Sequence, residues 1–133
     1  MQTADIEAHW PNALRWFLSQ DLHHFSPWRL LEKHQQFEFH TESVEGDGPP
    51  RKGTLFIFAR RDDNGDFAGL QMVDGIITER VICFHPLIPT HDPNQGLNVV
   101  SAIYENVFDF VAYKIIDDMK QQAQQVDASE LRR

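Results

Sequence analysis

The sequence predicts an α+β fold, a central antiparallel β-sheet packed with N-terminal and C-terminal helices. Three observations predict it. Apolar residues recur at helical spacing near both ends, as Leu14, Phe17 and Leu18 and then as Phe108, Val111, Ala112, Ile115 and Met119. Between those ends lie alternating or continuous apolar runs of strand length. The links between the central runs are too short for crossover helices, which need a dozen residues or more, so a parallel doubly wound sheet is disfavoured. At 133 residues the chain suits a single domain. Residues 1–123 are expected to form it, and 124–133, with little to bury, a flexible tail.

In "PNALRWFLSQDL" Pro11 stands at a plausible first helical position, where its missing N–H costs nothing, and a helix is expected from about Pro11 to Leu22. Ser26 and Pro27 then read as a cap and first turn ahead of Trp28, Leu30 and Leu31, predicting a short second helix or helical turn. With such apolar neighbours, Trp28 is read as a core plug rather than an exposed anchor. From Gln36 the period changes: Phe37 and Phe39 alternate with Glu38 and His40, as in a half-buried strand. "VEGDGPPRKG" ends that strand as a loop. "TLFIFA" is apolar on both faces, as a strand covered on each side would be. "DFAGLQMV" and "ERVICFHPL" read as two more strands, with Asp74-Gly75 as the turn between them. "IPTHDPNQG" is a loop, and the final helix starts at an Asn106 cap, carries Asp109 in its first turn and ends near Ala123.

The stretch "FARRDDNGD", residues 58–66, admits several chemistries. Asn64-Gly65 suits the positive φ angles of a type I′ hairpin turn, with the aspartates solvated. Asp62, Asn64 and Asp66 also mimic the first positions of a calcium loop, but Phe67 stands where glycine is needed and Val73 where a bidentate glutamate is needed. "GPPRKGT" fails as a phosphate loop, because Gly53 is not followed by lysine and two prolines remove N–H donors from the cradle. None of the seven histidines stands at a standard metal-ligand spacing; His85, His91 and Asp92 converge only if the proline-rich loop folds back. Cys83 in "VICFH" reads as a small buried hydrophobe, with His85 at about 7 Å along the strand, beyond nucleophile–base reach. Asp117 and Asp118 diverge by about 100° on a helix and read as a solvated face.

Composition narrows the function classes further. The amino terminus carries acids where a signal peptide would carry positive charge, and no stretch reaches the roughly 20 apolar residues of a membrane span. The lone Cys83 excludes an internal disulfide and fits a reducing compartment, so a cytoplasmic protein is expected. With 20 acidic and 12 basic residues, a formal charge of −8 argues against nucleic acid as ligand and for a basic partner. No catalytic residue, metal ligand or cofactor is assigned.

In pattern and order the chain resembles the SUKH superfamily, which includes bacterial immunity proteins and fungal cell-wall-assembly regulators. The resemblance runs from "SPWRLL" through "LFIFARRDDNGDFAGL" and "RVICFH" to "ENVFDFVAYKIIDDM". Its most specific piece is the apolar strand, the Ala-Arg-Arg step, the Asp-Asn turn and the small residue after it. The resemblance implies a SUKH-like α+β fold and a non-enzymatic role: binding and neutralising a cognate toxin, often a nuclease domain, of a polymorphic or contact-dependent toxin system. Such a partner is basic where it grips phosphates, and an acidic inhibitor is steered to it. The contact residues expected are Glu42, Glu45 and Asp47 in the first acidic loop and Asp62, Asp63 and Asp66 in the hairpin. Two rival readings are a housekeeping scaffold or regulator and a small metal-dependent hydrolase.

Overall fold

The computed structural model of the chain describes residues 6–44, 51–87 and 95–131, with backbone alone at 41–44, 51–52, 87 and 95–99. The fold is mixed α and β: among the described residues, seven strands in one sheet, a short N-terminal helix and a longer C-terminal one. Helix α1 covers Asn12–Leu18, with Pro11 as its N-cap and Ala13, Leu14 and Leu18 buried. It stops short of the expected Leu22 because the chain reverses there. The Leu22 amide bonds back to the Phe17 carbonyl and the Asp21 amide to Leu18, while Asp21 takes a left-handed φ of 56°, the pattern of a Schellman cap.

The strands are β1 (His24–Phe25), β2 (Trp28–Leu30), β3 (Phe37–Val44), β4 (Arg51–Arg61), β5 (Phe67–Val73), β6 (Ile76–Leu87) and β7 (Gln95–Tyr104). Successive strands from β3 to β7 pair antiparallel, and β7 returns to pair parallel with β3. Five strands therefore close into a ring, which leaves none of them as a free edge. β2 extends β3's side of β4, pairing Trp28 with Arg61 and Leu30 with Ala59, and β1 lies outside it.

Alternation along the strands divides the core in two. One set, Phe39, Leu55, Ile57, Ile82 and Phe84 joined by Leu31, faces the inside of the ring. The other, including Phe58, Ala68, Leu70, Val81 and Cys83, faces out and is covered by α1 and the C-terminal helix. Gly69 points inward, where a Cβ would meet Ile57 Cδ1 and Leu55 Cβ at 3.0 Å each. So tight a ring has no room there for a side chain.

Several expectations are corrected. Ser26-Pro27 does not cap a helix; its peptide bond is cis and it turns the chain between β1 and β2. Trp28 and Leu30 are both buried while Arg29 between them is half-buried, a period of two that β2 needs and a helix does not. β7 occupies "QGLNVVSAIY", so Gln95 and Gly96, expected to end the loop "IPTHDPNQG", instead begin a strand that the sequence does not predict. By contrast Asp74-Gly75 is the expected turn: both residues have positive φ, 51° and 77°, and Val73 pairs with Ile76.

The C-terminal helix, residues 107–123, starts at the expected Asn106 cap, whose side chain accepts from the Asp109 amide at 2.9 Å. Its middle, Phe110–Ile115, is π-helical. That wider turn puts Phe110 and Ile115, five apart, on one face with Val107 and Asp118, and all four are buried. The expected stripe is shifted accordingly, and Phe108 and Ala112 are exposed. Beyond Ala123 the chain makes one further 3-10 turn at Ala128–Glu130.

Candidate functional site

The loop that joins β4 to β5 carries three of the sequence-predicted contact residues, and its geometry follows from Gly65. Of the residues in this loop only Gly65 has a positive φ, 79°, so the expected type I′ turn does not form. The Gly65 amide instead bonds to the Arg61 carbonyl at 3.0 Å and the Arg61 amide to the Asp66 carbonyl at 2.8 Å, making a longer loop closed by a left-handed glycine. Asn64 Oδ1 accepts from the Asp66 amide at 2.9 Å. The Asp62 amide bonds to the Pro27 carbonyl at 2.9 Å, which ties the loop to the β1–β2 turn.

Each aspartate of this loop has a cation of its own chain or a histidine beside it. Asp62 lies 3.3 Å from Arg29 Nη2. Asp63 receives Arg61 Nε at 2.7 Å and Nη2 at 3.1 Å, a bidentate pair. Asp66 Oδ1 lies 2.8 Å from His85 Nδ1. The aspartates are exposed or half-buried but are not freely solvated charges. Of the other acidic loop, Glu45 and Asp47 lie outside the described residues. Glu42 is placed by its backbone alone, opposite Lys52 on β4 and Leu97 on β7.

Beneath the loop lies a residue that the sequence reading assigned to a solvated face. Asp118 is 4% exposed. Its Oδ2 accepts from Trp28 Nε1 at 2.8 Å and from Arg61 Nη1 at 3.1 Å, and Lys114 Nζ lies 3.3 Å away. Arg61 thus bridges buried Asp118 to exposed Asp63. The hydrogen bonds to Asp63 are the main reason its guanidinium is held above its ordinary pKa, with the charge on Asp118 adding to them. An ionised carboxylate can sit this deep only because three donors converge on it. Trp28 is the core residue the sequence implied, 1% exposed and edge-on to Phe110 at 5.2 Å. A signal for Asp118 was present: it stands three residues after Ile115 and four after Lys114, on the core side of the helix.

A cleft of about 430 Å³ opens beside this network, between the β1–β2 turn, Asp62 and the C-terminal turn, with Trp28, Arg29, Met119 and Leu131 among its walls. Its volume is in the range of small-ligand sites. Cys83 faces the outer core, and burial pushes its thiol up to about 12, far from the reactive range. His85 shares its strand face but turns to Asp66. His91 and Asp92 lie outside the described residues. Among the described residues no three of His, Cys, Asp and Glu gather closely enough to hold a metal ion, and no helix is long and apolar enough to cross a membrane.

What the arrangement can do is present charge in a fixed geometry. It locks β2, the 62–66 loop and the C-terminal helix together through one buried carboxylate, and Asp62, Asp63 and Asp66 at the surface are each held by a neighbour. No protein-family model, curated protein or solved structure matches the chain.

Proposed function

We propose that this is a non-enzymatic immunity protein of the SUKH type, acting in the cytoplasm by binding a basic toxin domain and occluding its active surface. The observation that carries the reading is the acidic surplus, a formal charge of −8. Among the described residues Glu38, Asp74, Glu79 and Glu105 are exposed and form no ion pair. The cations Arg29, Arg61, Lys33 and Lys114 are meanwhile drawn to acids of their own chain. A field of this sign speeds encounter with a basic surface by about 10 to 1,000-fold at low salt and repels nucleic acid. The resemblance set out above supports the same reading.

The hairpin aspartates serve this function as a preorganised rim. Held by Arg29, Arg61 and His85, Asp62, Asp63 and Asp66 lose little freedom when a partner arrives, which lowers the ordering cost of association. Their own pairing also cancels part of their charge, so the unpaired acids elsewhere supply the steering. Two groups with chemical potential have structural roles: Asp118 is shared among three donors and the Cys83 thiol is buried.

The test is to co-produce the chain with the product of the adjacent gene and measure complex formation and toxin activity. A stable complex, inactive as a toxin and forming more slowly as salt rises, is expected. No complex with a neighbouring product, or turnover of a substrate that one aspartate substitution abolishes in a folded chain, overturns the proposal.

A further inference from the structure

The C-terminal helix carries on its outer side a surface that the hairpin reading does not use. Phe108, Ala112 and Ile116 stand four apart and therefore line one face, and all are exposed, Phe108 at 47% and Ile116 at 37%. Beside them runs a second line, Asp109, Tyr113 and Asp117, again four apart, with Tyr113 68% exposed. The π-helical turn contributes to this arrangement. By carrying Phe110 and Ile115 inward together, it leaves Ala112 and Tyr113 facing out. Glu105 stands exposed at the head of the helix and Lys120 at its far end, while Lys114 is turned inward to Asp118.

The face is braced. Asn106 caps it, Asp118 ties its last turns to Trp28 and Arg61, and the Phe108 ring rests against Phe17 of α1 at 5.5 Å. An aromatic and aliphatic strip in the open, with a braced backbone under it, matches the residues that dominate protein interfaces. Charge names the occupant. Glu105, Asp109 and Asp117 border the strip and, among the described residues of the helix, only Lys120 opposes them, so an anionic lipid surface or a nucleic acid is repelled and a cationic protein surface is drawn in.

We infer that this helix face, Phe108, Ala112, Tyr113 and Ile116 with Asp109 and Asp117 beside them, is the docking surface for a basic partner protein with an apolar ridge. The inference rests on the binding-protein reading and gives it a location away from the hairpin loop. Tyr113 and Ile116 supply the desolvated contact, and Asp109 and Asp117 set the register against lysines or arginines of the partner.

The experiment uses the full chain and two labelled amphipathic peptides with the same leucine pattern, one carrying lysine and the other glutamate on the polar face. Binding is followed by fluorescence anisotropy. The lysine peptide is expected to bind and the glutamate peptide not. Tyr113→Ser with Ile116→Ser weakens the lysine peptide by about tenfold or more, as loss of interface anchors does. Asp117→Lys weakens it by about three to tenfold at low salt, clearly more than Glu38→Lys, the same change of charge placed on β3, which removes steering but no contact. Circular dichroism melting curves check that each variant is folded. Equal effects of Asp117→Lys and Glu38→Lys, or binding unchanged in the Tyr113 and Ile116 variant, overturn the inference. Failure here alongside a complex with the adjacent gene product removes this face and leaves the immunity reading standing; failure of that complex alone removes the reading and not this measurement.

Discussion

The inside of the strand ring and the layer beneath the helices are both buried, yet they are built on different rules. Inside the ring, Phe39, Leu55, Ile57, Ile82 and Phe84 pack with Phe37, Phe67 and Val100, and the space is so tight that position 69 has no side chain. Under the helices, Phe110 meets Trp28 and Phe58 edge-on, and the Trp28 indole N–H reaches a carboxylate shared among three donors. The first region is specified by volume and the second by polar pairing. The contrast explains why function is sought at the second, since only its network reaches the surface, through Arg61 and Asp63.

The largest expected effect breaks the polar region. Replacing Asp118 with alanine leaves Arg61 and the Trp28 indole N–H without their buried acceptor and should cost about 3–5 kcal/mol, the usual penalty for removing one partner of a buried ion pair. Chemical denaturation measures it. Replacing Asp118, Arg61 and Lys114 together by Leu, Met and Met should cost far less, because no uncompensated charge remains. If the single and triple variants are equally unstable, packing and not pairing governs this layer.

Next comes the apolar region. Gly69→Ala forces a methyl group to within 3.0 Å of Ile57 Cδ1 and Leu55 Cβ. The second of these is anchored to the backbone of β4 and cannot swing aside, so a loss of about 1–3 kcal/mol is expected from overpacking. Gly53→Ala, where nothing lies within 4 Å, serves as the control and should be close to neutral. A neutral Gly69→Ala would mean that the ring breathes and that its interior is less constrained than the layer outside.

A smaller effect tests the link between core and surface. Gly65 sits at a φ of 79° with open space around it, so Gly65→Ala strains only the backbone, by about 1–2 kcal/mol. The thermal midpoint should fall modestly. Because Arg61 anchors both the loop and Asp118, the indole fluorescence of Trp28 should shift as well if the network transmits; an unchanged spectrum would make the loop independent of the core.

The two regions also differ in how far the sequence disclosed them. The ring strands β3 to β6 were legible because a period of two is written in Phe37 and Phe39, a continuous apolar run of strand length in Val81 to Phe84, and Asp74-Gly75 is a local turn code. Ring closure was not, since the parallel pairing of β3 with β7 joins residues 55 positions apart, as His40 with Gln95, and leaves no local mark. Under the helices, single-residue effects misled. Ser26-Pro27 looks the same as a helix start or as a turn between short strands. A π-helical turn advances the phase, so the stripe drawn with a period of 3.6 included Phe108 and Ala112, which face out. Asp118 was assigned to solvent because its type suggests it, although Lys114 four residues earlier and Ile115 three earlier placed it toward the core. Of the expected contact residues, the hairpin aspartates are on the surface as the turn signal implied; Arg61 is a local partner of Asp63, but Arg29 and His85 come from β2 and β6, which no local reading joins.

The last prediction separates the two regions by pH, with almost no effect near neutrality. Cys83 faces the helix-covered layer, and burial raises its thiol from an ordinary value of 9.0 to about 12. Below pH 9 the thiol is protonated in both folded and unfolded chains, so it contributes no pH dependence. Between pH 9 and about 12 the unfolded chain releases the proton and the folded chain keeps it, so stability falls as pH rises, with a limiting slope near 1.4 kcal/mol per pH unit for one such group. Tyr104, raised in the same direction by burial, adds to the loss over a higher range. Denaturation of the wild type and of Cys83→Ala at pH 8, 9.5 and 10.5 isolates the thiol: their stability difference should be constant up to pH 9 and then shift against the wild type. A thiol reagent at pH 8 should react with the unfolded chain and only marginally with the folded one. Rapid labelling of the folded chain, or a stability difference that stays flat through pH 10.5, would show that water reaches Cys83 and that the layer beneath the helices opens where the ring interior does not.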